Sequence, residues 1–186
     1  MRTEGVRNMK KIKKGLVQIY TGEGKGKTTA AVGLACRARG HNFKVCYIYF
    51  HKSAGNRNYG EHKILKKMGV DVFGFARQCP RFRKNAIPAE IRGECLEGVK
   101  FIKKIYEENN YDILILDEIN ISCREGFLKA PEILDIIKSR PGNMELILTG
   151  RGASKKILEN ADLVSEIKNV KHPYKKGIKS RKGIEY

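Results

Sequence analysis

At 186 residues, 41% hydrophobic and 31% charged, the chain suits one domain that buries about two-thirds of its unfolded surface, and no apolar run nears the ~18–20 residues of a membrane span. Five cysteines (Cys36, Cys46, Cys79, Cys95 and Cys123) form no C-x-x-C pair, which argues against a disulfide framework or a cysteine metal site and for reduced thiols in a cytoplasmic protein. Of the net charge of +18, residues 1–14 and 168–186 supply +11; a charge held in basic arms suits general attraction of phosphates, or simple solvation, better than a base-reading surface.

Residues 16–20, Leu16-Val17-Gln18-Ile19-Tyr20, predict a first strand and residues 30–39 a first helix. Charged opening residues with no apolar stretch behind them give no expectation of a secretory signal. Between strand and helix lies Thr21-Gly22-Glu23-Gly24-Lys25-Gly26-Lys27-Thr28-Thr29. Strand, glycine-rich turn and helix start in that order build a phosphate cradle. Glycines let backbone N–H groups crowd a phosphate chain, and the helix N-terminus adds partial positive charge. Lys27 has the reach for phosphoryl oxygens, and the Thr28 hydroxyl suits a magnesium ion. The usual G-x-x-x-x-G-K-[ST] spacing would place glycine where Thr21 stands, so the loop is one residue short. A chance glycine-lysine turn is the competing reading, and the flanking strand and helix count against it.

Residues 44–50 form a second buried strand, followed by a polar loop at 51–58 and helical spacing through His62, Ile64, Leu65 and Met68 over 59–68. A short strand is expected at 71–75. Residues 76–87 are irregular and basic, with Arg77, Arg81, Arg83 and Lys84 around Pro80 and Phe82. A long helix opens at Pro88 and runs to about 109, with Ile91, Cys95, Val99, Ile102 and Ile105 near one face. The run Asp112-Ile-Leu-Ile-Leu-Asp117-Glu118 is a strand buried on both sides that delivers two carboxylates at its end. A helix at 131–139, a strand at 145–149 ending in Gly150-Arg151-Gly152, a short helix at 153–160 and a strand at 163–167 complete the chain.

Strands alternating with helices imply crossover connections and a mainly parallel sheet flanked by helices, an α/β fold. In such sheets the binding loops gather at the carboxyl ends of the strands, where the glycine-rich loop, Asp117-Glu118 and Arg151 all fall. Asp117 and Glu118 suit a magnesium ion, held directly or through water. A carboxylate capping the next turn is the plainer alternative. Arg151, between two glycines, suits a phosphate, against the alternative of a surface arginine. His172 reads as a tail histidine in a turn rather than a metal ligand.

The chain resembles the cob(I)alamin adenosyltransferases of the bacterial corrinoid-biosynthesis type, enzymes with a RecA-like P-loop fold. The resemblance is carried by residues 15–31, 116–120, 148–152, 161–164 and the tail from Val170 through Lys182-Gly183-Ile184-Glu185-Tyr186. The three-residue gap between Gly22 and Gly26 is itself typical of that family. The resemblance implies transfer of the 5′-deoxyadenosyl group of ATP to Co(I) of cob(I)alamin or a precursor corrinoid, releasing triphosphate. ATP would lie in reverse along the loop, its γ-phosphate where an α-phosphate usually sits. Gly22 through Thr29, including Glu23, Lys25 and Thr29, would bind the nucleotide. Lys27, Glu118 and Arg151 would act on the leaving group, and Thr28, Asp117 and Glu118 would hold Mg2+ or Mn2+. Phe75 would press on the corrinoid and expel its axial ligand. Arg77 stands where relatives often carry tryptophan, with Phe82 a candidate substitute, and Glu23 where some carry asparagine or aspartate. A homodimer in the cytoplasm and a flavodoxin-like electron donor are also implied. The expected organisation is a basic arm at 1–14 and one domain at 15–186. Two alternatives are a RecA-like ATPase that binds nucleic acid through its basic tails and a non-catalytic corrinoid-binding protein.

Overall fold

The computed structural model describes residues 12–52, 59–76 and 87–185. Most of the basic arm, residues 53–58 of the polar loop and the basic stretch with Arg77 and Phe82 lie outside the described residues. Six strands form one all-parallel sheet: β1 (Val17–Thr21), β2 (Val45–Phe50), β3 (Asp71–Phe75), β4 (Ile113–Asp117), β5 (Glu145–Thr149) and β6 (Leu163–Glu166), in the order β3-β2-β4-β5-β1-β6. β2 and β4 are apolar along nearly their whole length because both of their faces are covered, as all-parallel sheets require. Edge strand β6 is exposed throughout.

The period-two alternation of each strand divides the core into two layers. Ile48, Phe50, Leu114, Leu116, Leu146 and Leu148 face α3 (Pro88–Glu108) and α5 (Ala130–Ser139). Tyr47, Ile113, Ile115 and Ile147 face α1 (Lys27–Gly40) and α2 (Gly60–Lys67). The face that α1 turns to the sheet is Ala31, Ala35 and Ala38, all buried. Such small side chains bring the helix axis close to the strands and fix where its first turn sits. That turn begins at Lys27, three residues before the expected start, so Lys27, Thr28 and Thr29 lie on the helix itself. The predicted apolar face of α3 is buried as expected, and the helix stops at Asn109 in a left-handed conformation (φ 44°). The short helix α4 (Ile119–Arg124) was not expected; α6 (Lys155–Leu158) and a 3-10 turn at Pro173–Lys176 follow.

Register brings the strand ends level with one another. Tyr20 pairs with Thr149, Leu148 with Leu116, and Asp117 with Tyr49. The loops after β1, β2, β4 and β5 therefore open on one rim. Three of the rim's neighbouring strands are followed by a non-glycine residue at positive φ: His51 (57°) after β2, Ala76 (47°) after β3 and Glu118 (63°) after β4.

Candidate active site

A cavity of about 680 Å³ opens at this rim, walled by the glycine-rich loop, the ends of β2, β4 and β5, and the C-terminal tail. Gly24 through Thr29, Lys52, Glu118 and Arg151 all face it, joined by Ser180, Ile184 and Glu185.

The loop's glycines meet a demand beyond approach to a phosphate. A Cβ on Gly22 would sit 2.5 Å from the Ile167 carbonyl oxygen, and one on Gly24 would sit 2.6 Å from that of Lys168. Gly22 is also at φ 95°, a region costly for other residues. The Gly24 N–H donates to the Ile167 carbonyl at 2.7 Å, so the loop is clamped against the chain leaving β6. Lys27 is buried and donates to the carbonyls of Gly22 (2.8 Å) and Gly24 (2.5 Å). Burial holds its pKa below the usual lysine value.

Asp117 is fully buried, and its carboxylate is held by three protein donors. Oδ1 accepts from the hydroxyls of Thr149 (2.6 Å) and Thr28 (2.9 Å), while Oδ2 lies 2.6 Å from Nζ of Lys52. Burial alone would raise its pKa. The Lys52 ammonium and these hydrogen bonds outweigh that and keep the group an anion. Thr149 Oγ1 accepts in turn from the backbone N–H of Glu118 (3.0 Å). That bond secures Glu118 in its left-handed conformation. Glu118 Oε2 is buried with no hydrogen-bond partner among the described residues. Burial, with the Asp117 charge beside it, pushes the Glu118 carboxyl up to about 7. Buried polar atoms are almost always satisfied, so an unpartnered carboxylate oxygen beside a hydroxyl and an anion cradle is in a position suited to a cation. Thr28, Asp117 and Glu118 offer only oxygen, the donor set hard divalent ions take. The residues present fit magnesium.

Two predicted phosphate ligands carry partners that the sequence did not announce. Arg151 Nη1 lies 3.2 Å from Glu23 Oε2 across the cavity mouth. Lys25 Nζ donates to the Ile184 carbonyl (2.9 Å) and to Glu185 Oε1 (3.1 Å). Glu185 is held by Arg181, which together with Lys25 lowers its pKa to about 2. The tail, read from sequence as a solvated basic arm, is thus a wall of the site. His172 takes the turn role expected of it, its Nδ1 accepting from the N–H of Tyr174 (3.2 Å) while the ring lines the cavity.

Phe75 is not brought to this cavity. Its ring packs on Phe50 (6.2 Å between centroids) and Phe101 (5.5 Å), on the α3 side of the sheet. Lys52, Tyr59, Glu61 and Thr149 are site residues that sequence reasoning missed. Beside them His62 stacks on Tyr49 at 4.2 Å, and burial reinforced by the Lys52 charge drops its pKa to about 4, so the ring is neutral. The signal for Lys52 was a lysine two residues past a buried strand. Its meaning needed the pairing of β2 with β4. Among the described residues the cysteines are free, and no cluster of three His, Cys, Asp or Glu side chains stands ready for a metal.

A family model described as ATP:corrinoid adenosyltransferase BtuR/CobO/CobP matches residues 13–186. The chain is 35% identical to the corrinoid adenosyltransferase of Escherichia coli over 173 residues, covering 93% of this chain and 86% of that protein. It is 33% identical to the corrinoid adenosyltransferase CobA of Salmonella typhimurium, with 93% and 86% covered, and 31% identical to a Pseudomonas aeruginosa corrinoid adenosyltransferase, with 93% and 84% covered. Among solved structures, a KaiC-like protein from Pyrococcus horikoshii superposes with a TM-score of 0.55 at 16% identity, covering 83% of this chain and 73% of that one. At that identity the likeness speaks to the RecA-like P-loop fold alone.

Proposed function

This chain belongs to the ATP:corrinoid adenosyltransferase family, and we propose that its rim of Lys27, Thr28, Glu118 and Arg151 receives the triphosphate that departs when ATP gives up its adenosyl group. The protein is an enzyme that transfers the 5′-deoxyadenosyl group of ATP to a corrinoid. That membership sets aside the ATPase and non-catalytic readings. Chemically, the Co(I) electron pair of the corrinoid substrate attacks ribose C5′, the C5′–O5′ bond breaks, and its electrons leave with triphosphate. Co(I) is a strong enough nucleophile to need no proton abstracted. The chain's task is alignment and charge.

Lys27 now bonds neutral carbonyls, and a phosphate oxygen is the stronger acceptor for an ammonium. Polyphosphate therefore draws Lys27 off Gly22 and Gly24, and frees two carbonyls that had tethered the loop. Gly22 through Thr29 would cradle the chain of phosphates, with γ in the place α usually takes. Lys25 and Arg151, each paired to a carboxylate at the mouth, sit where the far phosphates would arrive. Mg2+ or Mn2+ on Thr28 and Glu118 would supply charge neutralisation at the leaving group. Asp117, with both oxygens engaged, would act by holding the Thr28 hydroxyl. Phe75 remains our proposed corrinoid contact. Its support is its place at the end of β3, on the same rim.

We further place this chemistry in a cytoplasmic homodimer, with a flavodoxin-like donor supplying the electron that reduces the corrinoid to Co(I), and built as one domain over 15–186 behind a basic arm. No helix among the described residues is long and apolar enough to cross a membrane. The observation that carries the reading is the meeting of the phosphate loop, the orphaned Glu118 oxygen and Arg151 on one cavity. Incubation with ATP, magnesium and chemically reduced cobalamin tests it. A light-sensitive adenosylated corrinoid and intact triphosphate are expected, and release of orthophosphate in their place would overturn it.

A further inference from the structure

The site holds a cation of its own. Lys52 is 8% exposed, lies two residues past β2, and points its ammonium at three groups: Asp117 Oδ2 (2.6 Å), Glu61 Oε1 (3.5 Å) and the ring of Tyr59 (5.1 Å to its centroid). A lysine at a strand end ordinarily runs its stem along the surface and keeps its charge in water. This one is turned inward, and the backbone shows what turns it. His51 sits at φ 57°, its N–H bonded to the Ala76 carbonyl (3.0 Å) and its Nε2 to Ser122 Oγ (2.8 Å). A left-handed, doubly anchored residue immediately before the lysine re-aims the chain over the end of β4. Strain of this kind persists only where the surroundings enforce it.

Asp117 Oδ1 is already occupied by two hydroxyls, so Oδ2 is its one remaining ligating position, and the ammonium fills it. Magnesium needs an oxygen at about 2.0–2.1 Å, and it cannot share Oδ2 with a buried ammonium without two cations in near contact. Without Lys52, the buried Asp117 carboxylate would keep an oxygen with no cation on it, beside the Thr28 hydroxyl and next in the chain to Glu118, and that oxygen would be open to a divalent ion.

We propose that Lys52 is a built-in counter-cation that keeps divalent metal off Asp117, so that metal enters only with a polyphosphate, through Thr28 and Glu118. Lys52 is a positioning residue here: it acts through Asp117, holding that carboxylate on the Thr28 hydroxyl. The inference rests on the metal reading of Thr28 and Glu118 given above.

The test needs no corrinoid and no turnover. Mn2+ is titrated into nucleotide-free protein, and free ion is read from its EPR signal. Wild type should take up no Mn2+ at this site in the micromolar range. Lys52→Met should gain a site at least tenfold tighter, and Lys52→Met/Asp117→Asn should lose it again. Lys52→Gln carries the same expectation if the methionine variant does not fold, and Lys52→Arg, which keeps the charge, should match wild type. Folded Lys52→Met and Lys52→Gln proteins that bind Mn2+ no better than wild type would overturn the proposal. So would wild type binding Mn2+ as tightly without ATP as with it. Failure of the underlying metal reading would show differently, as Mn2+–ATP affinity unmoved by Thr28→Ala and Glu118→Gln.

Discussion

Thr149→Val isolates the hydroxyl that links the two carboxylates, because valine matches the shape of threonine and opens no cavity. In the native protein this fully buried hydroxyl donates to Asp117 Oδ1 at 2.6 Å and accepts from the Glu118 N–H at 3.0 Å. Losing a hydrogen bond to a charged group costs about 1.5–3 kcal/mol, and leaving a buried N–H without an acceptor adds about 1–3 kcal/mol. Together these give a loss of about 2.5–6 kcal/mol, a large share of the ~5–15 kcal/mol that keeps a domain folded. For a chain of this size that corresponds to a midpoint lowered by roughly 10 °C. Thr149→Ser keeps both bonds and gives up one methyl group, so it should cost about 1 kcal/mol. Urea unfolding followed by circular dichroism, run on all three proteins, separates the hydroxyl from the methyl. A valine variant within about 0.5 kcal/mol of the serine variant would mean that the bridge contributes nothing and that the left-handed turn at Glu118 is held by something else.

Lys27→Ala should lower kcat/KM for adenosyl transfer by a hundredfold or more, the scale of removing one pre-organised charge from a developing anion; near-normal turnover would exclude its role on the leaving group. Phe75→Ala should cost about 2 kcal/mol of stability through its contacts with Phe50 and Phe101, and should slow reaction from Co(II) with a reductase more than reaction from pre-reduced Co(I). Equal losses in the two assays would confine Phe75 to packing. Glu118 is an acid raised to about 7, so its protonated form is the favoured one, and its contribution to stability is complete below about 4.5 and fades as pH rises through 7. The same proton must leave before the carboxylate takes a metal. Mn2+–ATP affinity should therefore climb between pH 6 and 8 in wild type and lose that rise in Glu118→Gln; identical pH profiles would remove Glu118 from the metal site.

The central strands were plain in the sequence because burial on both faces leaves unbroken apolar runs, as in Ile113–Asp117. The helix Ile119–Arg124 was not, since it is six residues long and starts from a left-handed glutamate without a side-chain cap. The glycine-rich loop, Asp117-Glu118 and Arg151 could be read because each is a local pattern at a strand end. Lys52, Thr149 and Glu185 could not. Their importance lies in partners 65, 32 and 160 residues away, and only strand order and the path of the tail bring those together. Phe75 shows the reverse case. Its motif position suggested a substrate contact, yet Phe50 and Phe101 offer its ring a packed aromatic neighbourhood.

His51, Ala76 and Glu118 follow three adjacent strands, and each holds a backbone conformation that costs an L-residue roughly 1–2 kcal/mol. The lip of the sheet is in effect a loaded spring above a core of aliphatic side chains. On warming, the protein should yield there first, exchanging amide hydrogens at the strand tips well before β2 and β4 give way in their middles. A laboratory selection for heat tolerance would then favour glycine at these corners, and the survivors would be hardier proteins with a slacker grip on their substrates.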